Sequence, residues 1–465
     1  MSAGAGTNKG TTRRPAPQPL RPYTFPRFER RQLENGMRLV IAPVRKLPIA
    51  TMIAMVEAGA TCGQRGLEGI ASLTAKLLLE GTRTSSGGEL IERFERLGAS
   101  VEASADWDGA ALRVTALREH FAAAAALLGE VLRMPAFPQR EVDRLKSERL
   151  AELLQQSTEP RGLADDMFAR CLYDDASRYA RPEGGTTETV TAITRDEVVK
   201  FYESRYMPRA VTLVVVGDLG ADEAHELARQ TFADWSGATP TICGTMDAPA
   251  RRTRAIHLIA KPESAQSELR IGNVGIPRKH PDYYAAVVMN AILGGLFSSR
   301  INLNLREAHG YTYGAFSQLD WRRQAGPFVV SSAVQSEVTA PAAREALGEI
   351  ERIREIPVTE GELSLATSYL DGVFPIRYET TDAIAGALAA LVRYDLEDDY
   401  FDTYRTRVRQ ITADDVLRAA RAHLHPSELQ MLVVGDPGTV KKELEALNFG
   451  PISMYDVHGA PLPDK

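Results

Sequence analysis

The chain has 465 residues, 44% of them hydrophobic, so it is long enough and apolar enough to form two large domains. Its formal net charge is -6, with acidic and basic residues interspersed. This pattern excludes the basic surface of a nucleic-acid-binding protein and a charged interaction tail. No segment approaches the roughly 18 apolar residues that a membrane span needs. We therefore expect a cytoplasmic protein that binds neither nucleic acid nor a membrane.

The beginning of the chain and its cysteines carry little functional information. Residues 1–26 are rich in Gly, Thr and Pro, which predicts a disordered tail. The pair at 13–14 is a twin arginine, but no apolar stretch follows it, so no export signal is expected. Cys62, Cys171 and Cys243 are far apart and lack CxxC spacing, which predicts three reduced, mostly buried thiols.

The elements that follow indicate an α+β protein. Apolar strands at 38–42 and 53–56 are accompanied by long amphipathic helices, for example at 121–133 and 141–156. The strands pair like hairpins and do not alternate with single helices. We therefore expect a mixed or antiparallel sheet with helices on one face, not a Rossmann sheet.

An internal repeat shows that the chain contains two copies of one unit. The segment ITRDEV at 193–198 recurs as ITADDV at 411–416, and VVVGD at 214–218 recurs as LVVGD at 432–436, both with an offset of 218 residues. Each copy predicts a threonine N-cap, an acidic first turn, a helix and a buried strand that stops at Gly-Asp.

The repeat divides the chain into two homologous halves. We predict an N-terminal half at 27–236, a linker of small and turn-forming residues at 237–253, and a C-terminal half at 254–465. A weaker sign of the duplication is an Asp-Trp pair after a strand in each half, at 106–107 and at 320–321.

Four motifs in a fixed order carry a family resemblance. They are NGMRLV at 35–40, EGT at 80–82, the Val-Val-Gly-Asp ending of each half and GGLFSSR at 294–300. With them the chain resembles, over nearly its whole length, the pitrilysin/insulinase family of zinc metallopeptidases. The resemblance implies two halves with the LuxS/processing-peptidase-like metallopeptidase fold, and assembly into clam-like dimers.

In family members that cut peptides, an HxxEH motif precedes Gly-Thr; its histidines bind zinc and its glutamate activates water. Here Ser72 and Lys76 stand at the histidine positions and Ala75 at the general-base position. None can perform those roles, and the lysine ammonium would repel a cation. Glu152 matches the family's third zinc ligand, but one carboxylate does not make a zinc site. Its alternative reading is a solvated helix charge.

The remaining histidines do not suggest a replacement metal centre. Only His423 and His425 are close in sequence, and they match the end of a helix in the first repeat. Histidines there are more typical of a favourable interaction with the helix dipole. We therefore expect that this chain binds no metal or other cofactor of its own.

The C-terminal half contains an arginine and a tyrosine at the positions that the family uses to hold substrate. Arg306 and Tyr313 match the arginine-tyrosine pair that family members use to hold the substrate near zinc. Both side chains can donate hydrogen bonds to a peptide carbonyl or to the oxyanion formed from it. Spacing from Arg306 favours Tyr313 over Tyr311. The structural alternative is an arginine paired with a carboxylate and a tyrosine packed in a core.

Together these observations predict a non-catalytic, substrate-binding subunit of a heteromeric zinc metalloendopeptidase. A homologous subunit containing HxxEH would carry the zinc, and an unfolded or extended peptide would be the substrate. A structural or peptide-binding pseudopeptidase with no role in cleavage is the alternative. A hydrolase with another nucleophile is disfavoured, because the sequence contains no Gly-x-Ser-x-Gly elbow or Cys-His pairing.

Overall fold

The protein, described by a computed structural model at residues 22–239, 243 and 251–463, is built around two six-stranded sheets. The strands of the first sheet are β1 (Glu29–Gln32), β2 (Arg38–Pro43), β3 (Ile49–Val56), β4 (Ser100–Ala105), β5 (Ala110–Leu117) and β6 (Val211–Gly217). Those of the second are β7 (Ala255–Ala260), β8 (Gln266–Val274), β9 (Ala315–Leu319), β10 (Pro327–Gln335), β11 (Gln430–Gly435) and β12 (Ile452–Tyr455). The spatial orders are β1-β2-β6-β3-β5-β4 and β12-β7-β11-β8-β10-β9.

Both sheets are mixed. Strand β2 runs parallel to β6, and β7 runs parallel to β11, while β6-β3-β5-β4 and β11-β8-β10-β9 are antiparallel. The two halves differ at one edge, because β1 pairs antiparallel with β2 whereas β12 pairs parallel with β7. The predicted α+β class with a mixed sheet in each half is therefore confirmed.

Helices follow the same duplicated plan. Those between 22 and 239 are α1 (Ile70–Leu77), α2 (Gly87–Arg96), α3 (Phe121–Arg133), α4 (Gln139–Thr158), α5 (Pro160–Leu172), α6 (Thr187–Ala192), α7 (Arg195–Arg205) and α8 (Ala221–Phe232). Those from 251 onward are α9 (Tyr283–Asn290), α10 (Arg300–Asn302), α11 (Thr339–Glu355), α12 (Glu360–Arg377), α13 (Thr381–Arg393), α14 (Tyr400–Arg409), α15 (Ala413–His423) and α16 (Pro437–Glu445). The threonine N-caps are as predicted: Thr194 accepts from the Glu197 amide and Thr412 from the Asp415 amide.

Helices cover both faces of each sheet, and this differs from the prediction of helices on one face. Alternate residues of β3 point to opposite sides: Met52 packs with helices of its own half, and Ile53 packs with α13 of the other half. Reciprocally, α5 of the first half packs on β8 and β11 of the second sheet. This exchange makes every residue of β6 and β11 buried and joins the halves through apolar contacts.

Part of the predicted N-terminal tail is packed. Of residues 1–26, the structure describes 22–26, where the Phe25 ring is buried and stacks on Phe401 with centroids 4.0 Å apart. The Tyr23 hydroxyl donates to the Tyr378 carbonyl at 3.0 Å. The tail prediction was wrong for these residues, because its aromatic side chains find partners in the second half.

The prediction of three reduced thiols was also wrong. Cys62 and Cys243 form a disulfide with their Cα atoms 5.1 Å apart, although 181 residues separate them in sequence. Cys171 is free and buried, and burial raises its pKa to about 12. The disulfide attaches the predicted linker to the first half; most of the linker lies outside the described residues. Sequence spacing could not reveal this contact, because only the folded chain brings the two positions together.

One helical run, Tyr283–Ala308, is long and apolar enough by length and composition to cross a membrane, so the expectation that no segment would be was wrong. It consists of α9, α10 and two segments of π-helix, Ala291–Gly295 and Leu303–Ala308, with a turn at 296–299. In its most apolar window 61% of the residues are buried inside the protein. Burial explains the composition, because a core helix needs the same residues as a membrane helix.

The two Asp-Trp turns meet where the halves join. The indole of Trp107, in the turn between β4 and β5, lies between Arg178 at 5.2 Å and Arg322 at 4.3 Å from its ring. Arg322 belongs to the turn between β9 and β10, which carries the second Asp-Trp pair. Arg393 of α13 pairs with Asp106. We call these five residues the junction.

Glu183, whose carboxyl interacts electrostatically with Asp106, Arg322 and Arg178 of the junction, is expected to make stability depend on pH. Burial, with a contribution from the Asp106 carboxylate, raises the pKa of Glu183 to about 7. A carboxyl whose pKa is raised on folding favours the folded state at low pH, and this contribution is lost as the pH rises through about 7. The free energy of unfolding should fall on the order of 1–3 kcal/mol between pH 5 and 8 from this group.

Urea unfolding of the wild type and of Glu183→Gln at several pH values measures this contribution. The glutamine variant should show a flatter dependence over that range. Identical slopes for the two proteins would show that Glu183 titrates normally.

Candidate functional site

The positions that the resemblance assigns to a lost zinc site lie on two helices that pack against each other. Ser72, Ala75 and Lys76 belong to α1, and Glu152 belongs to α4, which packs against α1. The Lys76 ammonium lies 3.8 Å from the Glu152 carboxylate. A cation of the chain's own therefore faces the one carboxylate that the family would use to hold zinc.

These residues do not fit a zinc ion. Ser72 is half-buried, Ala75 is buried and offers no donor atom, and the Lys76 ammonium has no free lone pair. Glu152 also accepts from Arg149 at 3.0 Å, so two cations already neutralise it. With one carboxylate and no imidazole, the set lacks the three or four donors that zinc requires.

The free edge of the first sheet passes beside this position. Strand β4 is the last strand of its sheet and packs next to α1. An open cavity of about 530 Å³ lies between them, and its lining includes Lys76, Leu79, Ile91, Ala103 of β4 and Leu145. An edge strand has unpaired backbone donors and acceptors, so an extended peptide can add to it.

Arg306 lies in the π-helical end of the long helical run, with its side chain 36% exposed. Its guanidinium lies over the ring of Phe297 at 4.6 Å, and its nearest carboxylate is Glu307 at 3.5 Å. Phe297 is itself 69% exposed. The contact holds the arginine on the surface and leaves guanidinium donors free for a ligand.

Tyr313 lies in the loop between that helical run and β9 and is 93% exposed. The loop is held by Thr312, whose hydroxyl donates to the Ala333 carbonyl at 2.7 Å and accepts from the Gly314 amide at 3.1 Å. Tyr311, in contrast, is half-buried and stacks on His309 at 4.9 Å. This difference favours Tyr313 as the residue that reaches a ligand.

A cavity of about 430 Å³ lies beside Tyr313, lined by residues of β8, β9 and β10 and by Arg161 and Asp165 of α5. Its charged lining is a network: Arg270 bonds Asp165 and Glu268, each at 2.8 Å, and Arg161 approaches Glu268 to 3.7 Å. Arg270 and Glu268 are buried. The cavity is therefore polar and close to neutral in charge.

The structure places Arg306 and Tyr313 in different surroundings. Tyr313 lines the cavity, whereas Arg306 does not, and in the described part of the chain no hydrogen bond joins the two side chains. Sequence reasoning also missed Phe297, Thr312 and the charged lining. Phe297 lies within the GGLFSSR motif. Its contact with Arg306 could not be predicted from the sequence and is visible only in the folded chain.

Two family models match the chain. Residues 40–181 match the insulinase domain of peptidase family M16, and residues 192–370 match the peptidase M16 inactive domain. Together they cover more than two thirds of the chain.

Similar proteins agree with these models. An uncharacterized zinc protease of Streptomyces coelicolor is 23% identical over 84% of this chain and 86% of its own length. A second, from Bacillus subtilis, is 23% identical over 77% of this chain and 86% of its own length.

Solved structures share the fold. A crystal structure of a peptidase M16 inactive domain from Pseudomonas fluorescens superposes with a TM-score of 0.83 at 26% identity, over 88% of this chain and 98% of that one. A protease from Helicobacter pylori has a TM-score of 0.83 at 18% identity, over 88% of this chain and all of that one, which shows the fold alone. The chain therefore belongs to the insulinase family, peptidase family M16, and has an inactive-type domain.

Proposed function

We propose that this chain is the non-catalytic, substrate-binding subunit of a heteromeric zinc metalloendopeptidase. The observation that carries the proposal is the pairing of Lys76 with Glu152 at the family's zinc position, in a chain that still exposes Tyr313. The first feature removes hydrolysis from this chain. The second leaves an exposed hydroxyl that can donate a hydrogen bond to a bound ligand.

The partner in this proposal is a homologous subunit with an intact HxxEH motif, and zinc belongs to that subunit. This chain's own residues bind and orient the peptide. An unfolded or extended peptide would pair with a free sheet edge, such as that of β4 or β9, while Arg306 and Tyr313 donate hydrogen bonds to its scissile carbonyl. Donors placed in advance cost no reorganisation when negative charge develops on that oxygen.

Assembly with such a homologue is the first test. We expect equimolar amounts of the two chains to sediment as a heterodimer in analytical ultracentrifugation, at concentrations where each alone sediments more slowly. The alternative function, a structural or peptide-binding pseudopeptidase, would be favoured if the complex formed but peptide cleavage did not depend on this chain.

The disulfide bears on where the protein works. The sequence predicts a cytoplasmic protein, and that location stays a prediction. Cys62–Cys243 is the kind of bond that persists in oxidising compartments and is uncommon in the cytosol. Mass spectrometry of alkylated protein from native cells would distinguish a reducing from an oxidising compartment. An intact disulfide would contradict a reducing compartment.

Rebuilding the zinc ligands should convert the pair into a metal site. In the variant Ser72→His with Lys76→His, two imidazoles on one face of α1 would oppose Glu152. We expect this variant to bind one equivalent of zinc more than the unmodified chain, measured by elemental analysis after dialysis.

Adding Glu152→Ala to the rebuilt variant provides the matched control and should remove the extra equivalent. If the rebuilt variant gained no zinc while remaining folded, α1 and α4 would not be placed as a zinc site requires. Ala75 remains in both variants, so the test reports binding and not hydrolysis.

A further inference from the structure

Two histidines and one aspartate meet at a place far from the degenerate zinc position in sequence. We propose that His280, Asp282 and His423 form a binding site for a divalent transition-metal ion of the zinc type. This would be a metal of the chain's own, contrary to the expectation that the chain binds none. The inference does not depend on the proposed function.

The ligand atoms are already close to one another. One nitrogen of each imidazole and one oxygen of Asp282 lie within 4.8 Å of one another, and within the described residues this is the one group of three such side chains that does so. Zinc bonds of roughly 2.0–2.2 Å place tetrahedral ligands about 3.4 Å apart. Small side-chain shifts would therefore close the site around an ion.

Two packed elements hold the three side chains. His280 and Asp282 lie in the turn that begins α9, and His423 is the last residue of α15, which packs against α9. Asn273 donates to the His423 carbonyl at 2.9 Å, and so fixes the end of that helix. A site formed by elements that are already in place loses little conformational entropy on binding.

Two of the proposed ligands, Asp282 and His423, already make contacts that a metal ion would have to share or replace. Arg418 holds one oxygen of Asp282 at 2.6 Å, and the other oxygen lies 2.7 Å from Nε2 of His423. A metal ion would lie in place of the hydrogen between these two atoms, and the imidazole proton would then be carried by Nδ1. A carboxylate oriented by a second partner is typical of metal sites. The positive charge of Arg418 opposes the ion, so we expect moderate affinity.

The side chains are half-buried, with 17% of Asp282 and 13% of His423 exposed. Partial burial strengthens ion-ligand attraction and still leaves a path for entry. Two imidazoles and one carboxylate suit zinc, with water completing the coordination. The ion would link the end of α15 to the start of the helical run that ends near Arg306.

Isothermal titration of ZnCl₂ into tag-free, chelator-treated protein tests the proposal. We expect one zinc per chain, with affinity reduced at least about tenfold in His423→Ala and in His280→Ala. His425→Ala and Glu152→Ala are matched controls and should bind as the wild type does. Zinc should also raise the melting temperature of the wild type but not that of His423→Ala.

Three outcomes would overturn the proposal: no binding, binding unchanged in both histidine variants, or binding lost in Glu152→Ala. The last would place the metal at the degenerate position and would contradict the proposed function as well. Melting of each variant without zinc shows whether a loss of binding is a loss of folding. His280→Ala leaves the Asp282–Arg418 and Asp282–His423 contacts intact and keeps the test valid if His423→Ala unfolds.

Discussion

Tyr313→Phe is expected to reduce the rate of peptide cleavage by the proposed heterodimer about 10²–10³-fold, the usual cost of removing one oxyanion donor. Tyr313 is 93% exposed in the isolated chain, so removing its hydroxyl should leave folding unchanged. The effect should fall on kcat more than on KM, because a donor to a developing oxyanion acts mainly in the transition state.

Tyr311→Phe is the matched control for this experiment. Tyr311 is two residues away, half-buried and stacked on His309, so its ring position is kept when the hydroxyl is removed. We expect a rate close to that of the wild type. Equal losses for Tyr311→Phe and Tyr313→Phe, or no loss for either, would contradict the role assigned to Tyr313.

The second large effect is expected at the junction. Trp107→Ala should lower the free energy of unfolding by about 3 kcal/mol, because it removes a large aromatic side chain and two cation–π contacts. These contacts are with Arg178 and Arg322, and Tyr179 adds an edge-to-face contact at 5.0 Å. Urea unfolding followed by circular dichroism measures the change.

Trp235→Ala provides a comparison within one half. Trp235 follows α8 and packs on Phe232 with ring centroids 6.3 Å apart, and it makes no contact of this kind across the junction. We expect a smaller loss of stability than for Trp107→Ala. A larger loss for Trp235→Ala would show that the junction contributes little to the stability of the whole chain.

The parts of the fold that could be predicted from sequence depend on local patterns. The threonine caps at 194 and 412 and the helix at 121–133 follow from residues that are neighbours in the chain. The repeat added the duplicated sheet, because two copies with one offset must share a topology.

The features that were missed all depend on contacts between distant segments. The exchange of α5 and α13, the Cys62–Cys243 bond and the packing of Phe25 join positions that no periodicity connects. The repeated Asp-Trp pair was visible in the sequence, but the contacts that Asp106 and Trp107 make at the junction were not. At the candidate site, the spacing of Arg306 and Tyr313 came from the family pattern, while the Phe297 contact and the polar cavity required the fold.

A peptidase assay on a fluorogenic, unstructured peptide shows whether this chain contributes to zinc-dependent cleavage by a partner. It compares this chain alone, an HxxEH-containing homologue alone and an equimolar mixture, each with and without a chelator. We predict chelator-sensitive cleavage confined to the mixture. Chelator-sensitive cleavage by this chain alone, or no gain on mixing, would contradict the role of a non-catalytic, substrate-binding subunit.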